Sequence, residues 1–195
     1  MKLQKTTLIL LGLAVTLGSF VYFSEVKNTN QPLAIQNERR EIFDFQEADI
    51  KQLTIEIDGK TLEFERINRN NSSNWQMLKP ENTPANDGVV VFLLNLLARG
   101  KSERSFNVSA NNLNLYGLQP FNTVITILLN NRQKHQLVLG KSDFENKLIY
   151  ALADPTDLVK EDVEIILISK NFQYAILERT LDDWKRSQEK KNTGS

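Results

Sequence analysis

Chemistry in a protein needs nucleophiles, proton carriers or metal ligands held at defined spacings, and this chain of 195 residues carries few of them. His135 is the only histidine; it stands between Lys134 and Gln136, just after an Asn130-Asn131 turn, and the chain has no cysteine. A catalytic or metal-binding imidazole needs partners, so His135 reads as a solvent-facing strand position. Glu56 on one strand and Glu63 and Glu65 on the next share the outward face of a hairpin. Paired carboxylates cleave glycosides only at a fixed separation across a cleft; on a strand face they serve solubility. Asp182-Asp183, close to Lys185 and Arg186, suggests a cation site, yet adjacent helical residues point about 100° apart, and surface charge is the plainer reading. The sequence has no glycine-rich phosphate loop, nucleophile elbow or metal-ligand series. The expectation is no enzyme, no catalytic, cofactor-binding or metal-binding residue, and no cofactor.

Composition narrows the class further. Lys plus Arg equals Asp plus Glu, 24 each, whereas a nucleic-acid binder shows a basic excess or face; nucleic acid is not an expected partner. Without cysteine there are no disulfides, thiolate nucleophiles or thiolate metal sites.

What, then, must be positioned, and where? Thr6 to Phe23 is apolar and uncharged, preceded by Lys2 and Lys5 and ending on Tyr22-Phe23. It just exceeds the roughly 17 residues needed to cross a bilayer, and aromatic residues favour the interface. Residues 1–23 are therefore expected to be a transmembrane anchor, with the N-terminus cytoplasmic by the positive-inside rule and the rest of the chain periplasmic or lumenal. The alternative is a signal peptide cut before Ser19, with Thr16 and Gly18 as its small residues; the apolar run through Phe23 argues against it. Residues 24–41 are polar, contain Pro32, and read as a tether of up to ~60 Å when extended.

Residues 42–186 read as one α+β domain of mostly antiparallel meanders packed with two main helices. Leu53, Ile55 and Ile57 alternate with Thr54, Glu56 and Asp58, and Asp58-Gly59 turns the chain into Leu62 and Phe64. Asn68–Asn74 is expected to be a loop and Trp75-Gln76-Met77 the start of a third strand ending at Pro80. Val89–Arg99 is expected to form a helix, capped by Asn86 or Asp87, stopped by Gly100, and apolar enough all round to be a core spine. Strands follow at Lys101–Val108, at Thr123–Leu129 (covered on both faces), at 136–139, at Lys147–Ala153 and at Glu164–Ile168, with a helical turn at Leu113–Tyr116. A last helix is expected from about Phe172 to Arg186, docking Tyr174, Leu177, Leu181 and Trp184 as one stripe; residues 187–195 read as a disordered tail. Leu53–Pro80 and Ile125–Pro155 echo one another as strand, turn, strand, loop, strand, Pro, by duplication or by shared strand period alone.

Ala85-Asn86-Asp87, Arg104-Ser105-Phe106, Leu115-Tyr116-Gly117-Leu118-Gln119-Pro120 and Leu139-Gly140-Lys141 resemble the domain-of-unknown-function 4340 family. Asn171-Phe172 with Ala175, and Leu181 with Trp184, are most similar to cyanobacterial members. The resemblance runs from about Phe43 to Trp184 and rests on turns and core positions. It implies a membrane-attached domain; some relatives accompany gliding and ABC-transporter-like machinery, which implies an accessory envelope role by analogy.

Three functions are weighed. The first is a single-pass, membrane-anchored extracytoplasmic adaptor, whose expected partners are the membrane itself and a membrane protein, in a plasma or thylakoid membrane. The second is a periplasmic or lumenal module binding a small apolar or glycan ligand, with a pocket lined by Trp75, Tyr116, Tyr150 and Trp184. An enzyme comes last.

Overall fold

A computed structural model describes residues 39–69, 72–155 and 162–187. The expected span at Thr6–Phe23, the tether as far as residue 38 and the tail from residue 188 lie outside the described residues. Among the described residues, no helix is long and apolar enough to cross a membrane. In chain order the strands are β1 (Arg40–Glu41), β2 (Ile50–Ile57), β3 (Lys60–Arg69), β4 (Ser72–Lys79), β5 (Thr83–Pro84), β6 (Lys101–Ser109), β7 (Thr123–Leu129), β8 (Lys134–Ser142), β9 (Leu148–Ala153) and β10 (Asp162–Ser169). The helices are α1 (Asp87–Arg99) and α2 (Asn171–Ile176). The class is α+β. All strands join one sheet in the order β1-β6-β10-β9-β8-β7-β2-β3-β4-β5, and the pairings are antiparallel.

The period-two pattern does what it dictates: Leu53 and Ile55 of β2 are fully buried, and Asp58 and Gly59 turn the hairpin with φ of 47° and 78°. β2 also pairs with β7, Thr54 facing Thr126. The two echoing units, β2-β3-β4 and β7-β8-β9, therefore run outward in opposite directions from one central seam. Alternation along the strands gives the sheet two apolar faces. The larger cluster joins Leu53, Phe64, Ile125, Leu137 and Ile166 to α1 and α2 residues; the smaller joins Phe106, Val138, Leu152, Ile165 and Leu167 to Leu113 and Leu118 on the opposite face.

Five expectations need correction. Asn68–Asn74 is mostly strand: Ile67 faces Asn74, Asn68 faces Ser73 and Arg69 faces Ser72, because a ladder is held by backbone groups that polar residues also possess. β7 is fully buried on one face only; burial on both faces falls instead to β8, through consecutive Leu137, Val138 and Leu139, and to β10, through Ile165 to Ile168. α1 buries Val90, Leu93, Leu94 and Leu97 but turns Phe92 to solvent, so it is a one-sided helix. The tether ends earlier than residue 41, since Arg40 and Glu41 pair with Ser102 and Lys101, and the Ile42 N–H donates to the Gly100 carbonyl.

The largest correction is at the C-terminal end. α2 stops at Ile176, and a 3-10 turn occupies Leu181–Trp184. Of the expected stripe Trp184 is buried, but Tyr174, Leu177 and Leu181 are exposed, and Phe172, Ala175 and Ile176 take the buried positions of α2. The cause is local: the Asp183 carboxylate accepts both the Thr180 N–H (2.7 Å) and the Thr180 hydroxyl (2.8 Å), a cap that starts a new turn and ends the old helix. These two bonds hold the Asp183 pKa below its ordinary value.

Candidate functional site

The residues that carry the turn motifs converge on the smaller apolar face. The 3-10 turn Ala110–Tyr116 ends at Gly117, in the left-handed region (φ 69°), and folds onto β8. A Cβ at Gly117 would sit 2.9 Å from the Lys141 backbone nitrogen; one at Gly140 would sit 2.4 Å from the Tyr116 carbonyl oxygen. Both positions therefore require glycine for close approach of two backbones. This contact brings Tyr116 against Phe106 of β6 (ring centroids 5.5 Å) and Tyr150 of β9 (5.0 Å), with Phe106 edge-on to Tyr150 at 6.2 Å.

Beside the rings lies the buried Asp143. Its Oδ1 accepts the N–H groups of Lys147 (2.8 Å) and Leu148 (3.0 Å), and Oδ2 faces Arg104 at 3.8 Å. Burial, then the Asp143 and Tyr116 charges, push the Tyr150 phenol above its ordinary pKa, with Arg104 opposing. The carboxylate is thus committed to closing the β8–β9 hairpin, and the phenol is held neutral. That is the chemistry of a packed support.

His135 is less exposed than its turn position suggests. Its Nδ1 lies 2.7 Å from Asp154, which also accepts the Gln136 N–H at 2.7 Å, and its ring packs 5.2 Å from Phe43 and 5.3 Å from Phe45. Asp154 holds a left-handed φ of 45°, which Asp tolerates better than most residues. Residues 42–45 thus form a strap, bonded to Gly100 before β6 and resting on β8.

A shallow, open cavity of about 480 Å³ lies at the end of that strap, lined by Phe45, Glu47, Arg66 and Arg99 among others. The Arg66 guanidinium stacks 4.8 Å over Trp75 and donates to the Ile50 (2.9 Å) and Glu47 (2.7 Å) carbonyls. Burial lowers its pKa and the Glu47 charge partly restores it.

The remaining candidates are surface charges in paired positions. Glu63 accepts from Gln52 (2.6 Å) and pairs with Lys79 (2.9 Å), while Glu56 is exposed and Glu65 half-buried opposite Gln52. Glu81 and then Asp182 hold Lys185, raising its pKa, and Arg186 pairs with Asp87, whose other oxygen accepts the Trp75 N–H. Asp182 and Asp183 have separate duties. Trp75 and Trp184 belong to one core cluster and Tyr116 and Tyr150 to the other, so the sheet divides the four residues expected to line a ligand pocket. Among the described residues, no three His, Asp or Glu side chains are grouped to hold a metal, and every buried side-chain N or O atom has a hydrogen-bond partner.

One antiparallel sheet, a helical layer on one face and a glycine-docked aromatic cluster on the other define an α+β domain held by structural turns. The family model named Domain of unknown function (DUF4340) matches residues 75–192, and the chain belongs to that family. The match spans β4 to the C-terminal turn and leaves the β2–β3 hairpin outside it. Comparison with curated proteins and comparison with solved structures each found no match.

Proposed function

We propose that the protein is a single-pass, membrane-anchored adaptor whose domain stands on the periplasmic or lumenal side and docks a membrane-protein partner, without catalysis. The observation that carries this reading is the stripe that failed to bury. Tyr174 and Leu177 are 46% and 43% exposed and Phe92 on the neighbouring α1 is 41% exposed, although α1 and α2 pack against one another. Apolar side chains gathered on one helical layer and left in water mark a protein contact. The Thr6–Phe23 run supplies the anchor and residues 24–38 the reach.

Mild detergent extraction of the full chain, followed by native sizing, tests the proposal. The wild type should migrate in a complex, and Tyr174→Glu with Leu177→Glu should release the folded chain without changing its thermal midpoint. Migration as a free monomer in every mild detergent would remove the proposal's main support.

A further inference from the structure

The most exposed large apolar side chain described is Phe144, 86% accessible at the tip of the β8–β9 hairpin. Its hairpin is a rigid mount. Asp143 bonds the Lys147 and Leu148 amides, the Asp143 N–H donates to the Leu148 carbonyl (2.9 Å), and Lys170 at the start of α2 donates to Asn146 (2.7 Å). A mobile loop could hide a phenylalanine, but this one is built to hold it outward.

Two further apolar groups flank the same end of the sheet. Phe121, 39% exposed, enters β7 two residues before Thr123, which pairs with Leu139 on the strand leading to the hairpin. Leu115, 57% exposed, precedes the Tyr116 carbonyl that lies against Gly140. The charges around them are lopsided. Glu145 is paired with Lys147 at 2.8 Å, and Asp143 is buried and occupied by amides and Arg104. Lys60, Lys141 and Lys170 have no carboxylate partner among the described residues, against two carboxylates: Asp58 at the adjoining β2–β3 turn, whose N–H donates to the Asn122 carbonyl, and Glu178, which accepts from Gln173 beside Ser142.

From this we infer that the Phe144 hairpin, with Phe121, Leu115 and the surrounding lysines, is a contact site for an anionic lipid bilayer surface. Phe and Leu side chains bury at the headgroup boundary and basic residues are drawn to anionic lipids, with lysine stems snorkelling against apolar surface. The inference rests on the anchoring reading, which brings a bilayer within reach of the domain. It adds which end of the domain faces the lipid; Lys170, 5.9 Å over the Tyr174 ring, marks where this end borders the helical layer proposed for a protein partner.

The natural chain has no cysteine, so single-cysteine probes report one position each. The full chain is reconstituted in phosphatidylcholine vesicles with about 30 mol % phosphatidylglycerol, carrying an environment-sensitive dye at Phe144→Cys or, as the control, at Lys134→Cys. Nitroxide lipids should quench the dye at 144 at least threefold more than at 134. Lys141→Glu with Lys170→Glu should weaken the contact by roughly fivefold or more per lysine. Equal quenching at both positions in an anchored chain overturns the inference alone. Shielding of position 144 only when a purified membrane-protein partner is added also overturns it, in favour of a protein contact. If alkaline carbonate strips the chain from the vesicles, the anchoring reading falls instead. Flotation of that same chain then decides the loop contact: Phe144→Ser must cut the vesicle-bound fraction severalfold, and an unchanged fraction overturns the inference.

Discussion

Gly140→Ala is the sharpest test of the physical account, because one added methyl meets three mapped atoms. Its Cβ would lie 2.4 Å from the Tyr116 carbonyl oxygen, 3.0 Å from Leu118 Cγ and 3.1 Å from Leu118 Cδ2. Ordinary carbon–oxygen contacts fall near 3.3 Å, so the Tyr116–Gly117 turn must withdraw by most of an ångström. The nearest atom is backbone, in a turn already pressed against Lys141 through Gly117, so no rotamer change relieves it. Overpacking of this kind costs roughly 1–3 kcal/mol, occasionally more. The smaller backbone entropy of the unfolded Ala chain returns about 0.4–1 kcal/mol. A net loss of about 1.3 kcal/mol lowers the midpoint by roughly 3–5 °C for a domain of this size. Thermal and urea denaturation of the full chain in detergent measure it, and near-UV dichroism reports the Tyr116–Tyr150 packing. Gly88→Ala is the control: its Cβ meets only Asn86 Oδ1, at 3.5 Å, in the first turn of α1, where Ala gains up to about 1 kcal/mol. Leu118→Ala should not rescue Gly140→Ala. A midpoint within one degree of wild type for Gly140→Ala, or an equal fall for Gly88→Ala, would refute the close-approach reasoning.

Arg66→Lys removes the flat stack over Trp75 and leaves one of the Ile50 and Glu47 carbonyls without its donor; stability should fall by about 1–2 kcal/mol, with a shift in tryptophan emission. Thr180→Ala deletes the hydroxyl bonded to Asp183 and should cost about 1 kcal/mol, seen as greater acrylamide quenching of Trp184. Glu164 is pushed up by burial, but hydrogen bonds from Arg40 and Ser105 and the Arg40 charge outweigh this and leave its pKa lowered. Its contribution is therefore present above the ordinary carboxylate pKa and lost as pH falls through the lowered one. Being largely solvated, it is worth under about 1 kcal/mol; Glu164→Gln should flatten the acid limb of stability below the ordinary carboxylate range.

Strand period, turn residues and end signals are local, and they were legible. Alternation at 53–57, the positive-φ pair Asp58-Gly59 and the limits of α1 at Asn86 and Gly100 all follow from chemistry a few residues wide. The family was legible for the same reason, since its motifs at 115–120 and 139–141 are a turn and a close approach and that at 104–106 is a stretch of strand with buried Ser105 and Phe106. The Tyr174–Trp184 stripe misled because helical period shows which residues would share a face, not whether Thr180 and Asp183 will end the helix first. The partners Asp154 of His135, Ile50 of Arg66 and Phe106 of Tyr150 lie 19, 16 and 44 residues away along the chain, and no local pattern pairs them.

By itself the sequence determined the class of fold, the family and the scarcity of reactive groups, because each depends on composition or on neighbours along the chain. Tertiary structure decided which apolar residues stay in water. Phe92, Phe144, Tyr174 and Leu177 read as core by type, and only the packing of the sheet against α1, α2 and the Ala110–Tyr116 turn leaves them outside it. Burial is set by what lies on the other side of a residue, which depends on how the ten strands are ordered in the sheet.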